Sequence, residues 1–157
     1  MIQLFTELQE KKNVRSNLSA LRASLKEATE EQKAQAIEFV RGHEDLVFGF
    51  LQEEDAKTRK NAALLLGDLA VQNALQPLWK AYTREQTLFV KSAYLEAMKA
   101  LHAEEILSQL KDRLAELEGE PVTEENRKHR EAELRALRAI LIQYEGIDTH
   151  HFDIKQN

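Results

Sequence analysis

The side chains in this sequence equipped to do chemistry are its five histidines, a surplus of carboxylates and several runs of Lys and Arg, with no cysteine among them. A protein metal site needs three or four donors brought together at ligand spacing. His43, His102 and His129 stand far apart and share no helix at that spacing. His150 and His151 are adjacent, but neighbours in sequence seldom aim at one ion, and no carboxylate pattern completes a zinc set around them. No metal and no cofactor is therefore expected. Without cysteine there are no disulfides, thiolate ligands or cysteine nucleophiles. Glu53, Glu54 and Asp55 fall at a break between two apolar patterns, where capping and solvation account for them. No nucleophile elbow, kinase signature or Gly-rich phosphate loop is present, so the expectation is a protein that is not an enzyme.

Binding is the remaining chemistry. Arg59, Lys60, Lys80, Arg84 and Lys91 would align along one edge if the segments that carry them were stacked copies, forming a basic ridge. The competing reading pairs these cations with Glu53, Glu54 and Glu85 as a solvated surface. A second basic cluster, Arg127, Lys128, His129 and Arg130 with Arg135 and Arg138, is diluted by Glu124, Glu125, Glu131 and Glu133, and pairing along a helix face explains it. Trp79, Tyr82 and Tyr94 sit on apolar stripes, which makes them core residues before stacking platforms.

The elements that must position these residues are helices. Val14, Leu18, Leu21 and Leu25 recur at spacings of four, three and four, the period of one helical face. A shorter helix before them would bury Leu4, Phe5 and Leu8. Thr29-Glu-Glu-Gln32 is a capping box, in which hydroxyl and amide each satisfy a backbone N–H at a helix start. The helix it opens carries Ala34, Ile37 and Val40 inward and is expected to stop near Gly42, in the left-handed conformation glycine tolerates. Leu46, Val47, Phe50 and Leu51 form the next face. Asp55 then caps a helix with Ala62, Leu65, Leu66 and Leu69 inward. Leu75, Leu78 and Tyr82 follow, Thr83-Arg-Glu-Gln86 reads as another capping box, and Val90, Ala93, Tyr94, Ala97, Met98 and Leu101 continue the helical spacing. A last pair has Ile106, Leu107, Leu110, Leu114 and Leu117 on one helix. Its other helix carries Leu134, Leu137, Leu141 and Tyr144 and ends near Gly146, after a Gly-Pro connector over 118–123.

At an offset of thirty-one residues Val47 matches Leu78, Lys60 matches Lys91, Ala62 matches Ala93 and Leu66 matches Ala97. A period of this length is the mark of a solenoid, because one helix pair cannot cover its own apolar faces. The expected fold is all-α, a right-handed solenoid of antiparallel helix pairs over residues 1–147, with 148–157 a tail or the start of a linker.

The stretch Asp55-Ala-Lys-Thr-Arg59-Lys-Asn-Ala62-Ala63-Leu-Leu-Leu66-Gly67-Asp-Leu69 resembles a HEAT repeat, with its Asp turn, Arg, paired small residues and Leu-Gly. The resemblance implies that Ala62 and Ala63 admit a neighbouring helix, that Gly67 clears a crossing and that Arg59 ties the turn through carboxylates or carbonyls. The next copy departs from the pattern, with Val90 at the place of Arg59 and Met98 at that of Gly67. Residues 59–69, with Asn17-Leu-Ser-Ala-Leu-Arg22 and Gly146-Ile-Asp-Thr-His-His-Phe152, are also similar to the amino-terminal helical part of bacterial RNA methyltransferases. Such proteins continue into RNA-binding and methyl-transfer regions. Here no strand-then-glycine loop for S-adenosylmethionine follows, which implies a non-catalytic accessory domain.

The function expected is thus an interaction or scaffold module that binds a protein or an adjoining domain. An RNA-binding accessory domain is the alternative, and a DNA glycosylase on a HEAT-like scaffold is the third. The net charge of −5 disfavours binding to nucleic acid over the whole surface while allowing a local basic patch. No apolar run reaches membrane-spanning length, and the start Met1-Ile-Gln-Leu-Phe-Thr-Glu7 lacks the basic and apolar regions of a secretion signal, so a cytoplasmic location is expected.

Overall fold

Seven of the nine helices in this computed structural model, which describes residues 1–145, carry at least two fully buried side chains each, and all nine follow from the apolar periods above. His150, His151, the helix end expected at Gly146 and the 148–157 segment lie outside the described residues. In chain order the helices are α1 (Ile2–Gln9), α2 (Val14–Leu25), α3 (Glu30–Gly42) and α4 (Glu44–Gly49), the last running into a 3-10 turn at Phe50–Gln52. Then come α5 (Ala56–Asp68), α6 (Leu75–Arg84), α7 (Leu88–Lys99), α8 (Leu107–Gly119) and α9 (Arg127–Glu145). Every regular element among the described residues is helical, and none is long and apolar enough to cross a membrane. The chain divides into two compact units, Met1–Leu101 and one that begins at His102.

In the first unit α5 is the central helix. It buries residues on more than one face, including Ala62, Ala63, Leu65 and Leu66, because it packs against α7 most extensively, then α2, then the 3-10 turn. Small residues make this possible: a Cβ built on Gly67 would stand 2.9 Å from the Cα of Ala97 on α7. The apolar stripes meet around it, with Leu18 and Leu21 from α2, Leu78 from α6, and Val90, Tyr94 and Met98 from α7 all out of water. Each such Leu contributes roughly 1.5–3 kcal/mol by its burial.

Local chemistry sets the starts. Thr29 and Gln32 form the capping box, the hydroxyl accepting from Gln32 N–H at 3.1 Å and the amide oxygen from Thr29 N–H at 3.0 Å. Asp55 caps α5 by accepting from Thr58 N–H at 2.9 Å and from its hydroxyl at 2.7 Å. These bonds hold the Asp55 carboxyl below the usual carboxylate range. The second capping box is absent. Thr83 remains inside α6 and its hydroxyl donates back to the Lys80 carbonyl at 2.7 Å, while α7 starts at Leu88 with no side-chain cap from Thr87 before it.

The ends differ from expectation as well. Gly42 closes α3 without a left-handed φ, and the chain breaks at His43 (φ −138°). Among the described residues the left-handed non-glycine positions are Lys11, Asn13 and Ala70. At Ala70, N–H groups of Ala70 and Val71 donate to the carbonyls of Gly67 and Leu66, each at 3.0 Å, the bonding of a Schellman end with alanine where glycine is usual. The face of α3 is also shifted: Ala36 and Val40 are buried, Ile37 is half-buried and Ala34 is exposed. Phe39 of α3 stacks on Phe5 of α1, with centroids 4.5 Å apart.

The second unit pairs α8 with α9 around Leu110, Leu117, Leu134, Leu137, Ile140 and Leu141, over a 3-10 turn at Ala103–Ile106.

Candidate interaction surface

At the turn between the 3-10 segment and α5, the Arg59 guanidinium is held on three sides. Its Nε and one terminal nitrogen donate to the two oxygens of Glu85, each at 2.9 Å, and the other terminal nitrogen donates to the Glu53 and Glu54 carbonyls, each at 2.8 Å. Asp55 sets the start of α5 and so aims Arg59 one turn later, while Glu85 comes from the α6–α7 turn. Glu85 also accepts from Thr87 N–H at 3.2 Å and from the Tyr94 hydroxyl at 3.2 Å. The Leu51 carbonyl lies 3.4 Å from that hydroxyl, whose single proton favours the nearer carboxylate.

Glu85 is 8% exposed and Tyr94 fully buried. Burial alone would push the Glu85 carboxyl up. The Arg59 guanidinium, with help from Thr87 N–H and Tyr94, instead holds it below the usual carboxylate range. Burial, reinforced by the Glu85 charge, drives the Tyr94 hydroxyl well above its ordinary value. The Glu85 bonds raise Arg59. A strongly protonated Arg, an ionised Glu and a neutral Tyr form a matched structural network. Neither a general base near neutrality nor a free nucleophile results from it.

Arg59 and Arg84 line one concavity of about 420 Å³ with Glu85, Gln86, Thr87 and Tyr94. Of the five basic residues singled out by sequence, this brings together two. Lys60 and Lys91 are half-buried on α5 and α7, Lys80 is exposed on α6, and none of these three lines that concavity. Arg59 contributes little free charge to a ridge, being neutralised by Glu85, while Arg84 is exposed and its Nε donates to the Lys80 carbonyl at 3.3 Å. Tyr82 is buried like Tyr94, and Trp79 is half-buried against Tyr82 with centroids 5.3 Å apart.

His43 is held by structural bonds too. His43 donates through Nδ1 to the Phe39 carbonyl at 2.8 Å, leaving Nε2 to accept from the Gln9 amide at 2.6 Å. In the second unit the basic residues of α9 reach across to α8 more than along their own helix. Arg130 donates to the Leu117 carbonyl at 2.9 Å, Arg138 pairs with Glu118 at 3.1 Å, and Arg113 of α8 pairs with Glu133 at 3.1 Å. His129 and Glu133, 3.6 Å apart, follow the expected spacing along the helix. Among the described residues no group of His, Asp and Glu is arranged to hold a metal ion.

Sequence reading anticipated Arg59 with Glu85 as one of two outcomes and Tyr94 as core. The buried state of Glu85 escaped it, because an exposed-looking Thr-Arg-Glu-Gln turn carries no mark of the helix that covers it. Comparison with known protein families, with characterised proteins and with solved structures finds no match to this chain.

Proposed function

We propose that this chain is a non-catalytic helical-repeat module, a right-handed solenoid of antiparallel helix pairs of the HEAT kind, which holds a protein or an adjoining domain of its own polypeptide. The observation that carries this reading is the α5–α7 contact. These helices stand one thirty-one-residue period apart, they share the most extensive interface of the first unit, and Gly67 packs so near Ala97 that a Cβ there would stand 2.9 Å from its Cα. Equivalent helices facing one another are what a solenoid requires, since each repeat buries its apolar stripe on the next. The Arg59–Glu85–Tyr94 network then serves to join one turn to the next, and binding belongs to surfaces the network leaves open. A cytoplasmic setting fits a chain without cysteine.

Selection of displayed peptides against the full chain tests this. The expected outcome is a convergent sequence that binds in the micromolar range. The opposing reading, an RNA-associated accessory domain of a methyltransferase, is favoured by the exposure of Lys80 and Arg84 one turn apart on α6. Failure of any peptide family to emerge, together with hairpin RNA retained on filters at low salt and released at high salt, would replace the first reading by the second.

A further inference from the structure

The first unit has a second recess, separate from the Arg59 network. Two adjacent concavities, of about 450 and 350 Å³, share Ile37, Leu69 and Ala70 and are taken together as one trough between α3 and the end of α5. Its floor is aliphatic: Ile37 is half-buried and Ala70 exposed, over the largely buried Leu25, Leu69 and Val71. Its rim is basic. Arg22 comes from α2 and Lys26 from just past its end, and Lys33 and Arg41 from α3, against the two carboxylates Asp68 and Glu44. Asp68 pairs with Arg22 at 2.9 Å, Lys33 is 3.8 Å from Glu30, and Glu44 accepts from the Asn73 amide at 3.2 Å. The Lys26 and Arg41 side chains are exposed and form no ion pair among the described residues. A cationic rim on a chain of net charge −5 is a local reversal of sign.

We infer that this trough is a docking groove for an acidic amphipathic helix of a partner protein, its apolar face on Ile37, Leu69, Ala70 and Val71 and its carboxylates on Lys26 and Arg41. Helix-in-groove recognition needs an aliphatic floor for anchors at i, i+3, i+4 and i+7, and charge at the rim sets which peptide is accepted. No aromatic side chain lines the trough, so single-stranded nucleic acid finds no stacking platform there. Ala70 holds a left-handed φ of 51°, a conformation an alanine rarely adopts, and it does so where it lines the trough.

The inference rests on the interaction-module reading, and its test separates the two. The isotope-labelled full chain is titrated with a designed helical peptide carrying Leu at i, i+3, i+4 and i+7 and Glu on the flanks, followed by amide chemical shifts. Shifts should centre on Lys26, Ile37, Arg41 and Leu69 to Val71. Lys26→Glu with Arg41→Glu should weaken binding about tenfold or more. Lys99→Glu with Lys128→Glu, the same change of net charge at exposed positions elsewhere, should leave it unchanged. Shifts centred on another face would overturn the groove and leave the module reading standing. No binding up to about millimolar peptide, equal binding of a Lys-flanked version, or tighter occupation of the same amides by oligouridylate RNA would each overturn the inference.

Discussion

At Arg59 the guanidinium fork, two turn carbonyls and a carboxylate from the next turn close on one another, which makes Glu85 the residue whose loss should be felt most. Removing one member of a largely desolvated pair strands the other. Glu85→Gln is expected to destabilise the chain by about 3 kcal/mol at neutral pH in urea unfolding. The pH dependence has a definite sign. A carboxyl held below its usual range binds fewer protons folded than unfolded, so its stabilisation is complete above the ordinary glutamate pKa and fades as pH falls through the depressed folded value. The gap between wild type and Glu85→Gln should therefore narrow on acidification, and a constant gap would contradict the ionised pairing. At this scale the sequence is readable where bonds are local: Asp55 capping Thr58 and Thr29 boxed with Gln32 are four-residue patterns. Glu85 is not readable, because Tyr94 and Arg59 reach it from other helices.

Two small residues, one in helix α5 and one just past its end, should respond to substitution in opposite directions. A methyl added at Gly67 meets backbone, not a flexible side-chain tip, so Gly67→Ala should destabilise by about 1–3 kcal/mol despite the better helix propensity of alanine. Just past the end of α5, Ala70→Gly relieves a left-handed alanine and should raise Tm by about 2–4 °C. Thermal unfolding of the two variants checks both, and a Gly67→Ala protein as stable as wild type would deny the close α5–α7 approach. Helix existence is legible throughout, since each stripe recurs at helical spacing. Helix ends are less so: the usual stop signal is glycine, whereas Lys11 and Ala70 take the left-handed positions here and Gly42 does not. The register of α3 slips for a related reason, because a helix that buries only Ala36 and Val40 has too few apolar residues to fix its face from spacing alone.

At the scale of the whole molecule, the helical spacing of apolar residues runs on without a mark past Leu101, where the first unit ends. A thirty-one-residue repeat reports which helices are alike, and it says nothing of how densely each is packed. The trough beside α3 is likewise invisible in sequence, since Arg22, Lys26, Lys33 and Arg41 belong to two helices and its floor to the turn after a third. Calorimetric titration of a display-selected peptide into the full chain tests the central claim, that this protein works by burying a polypeptide against its apolar surface. Saturable one-to-one binding with a negative heat-capacity change is the expected result. Absence of saturable peptide binding, with hairpin RNA bound in a salt-sensitive way instead, would contradict it.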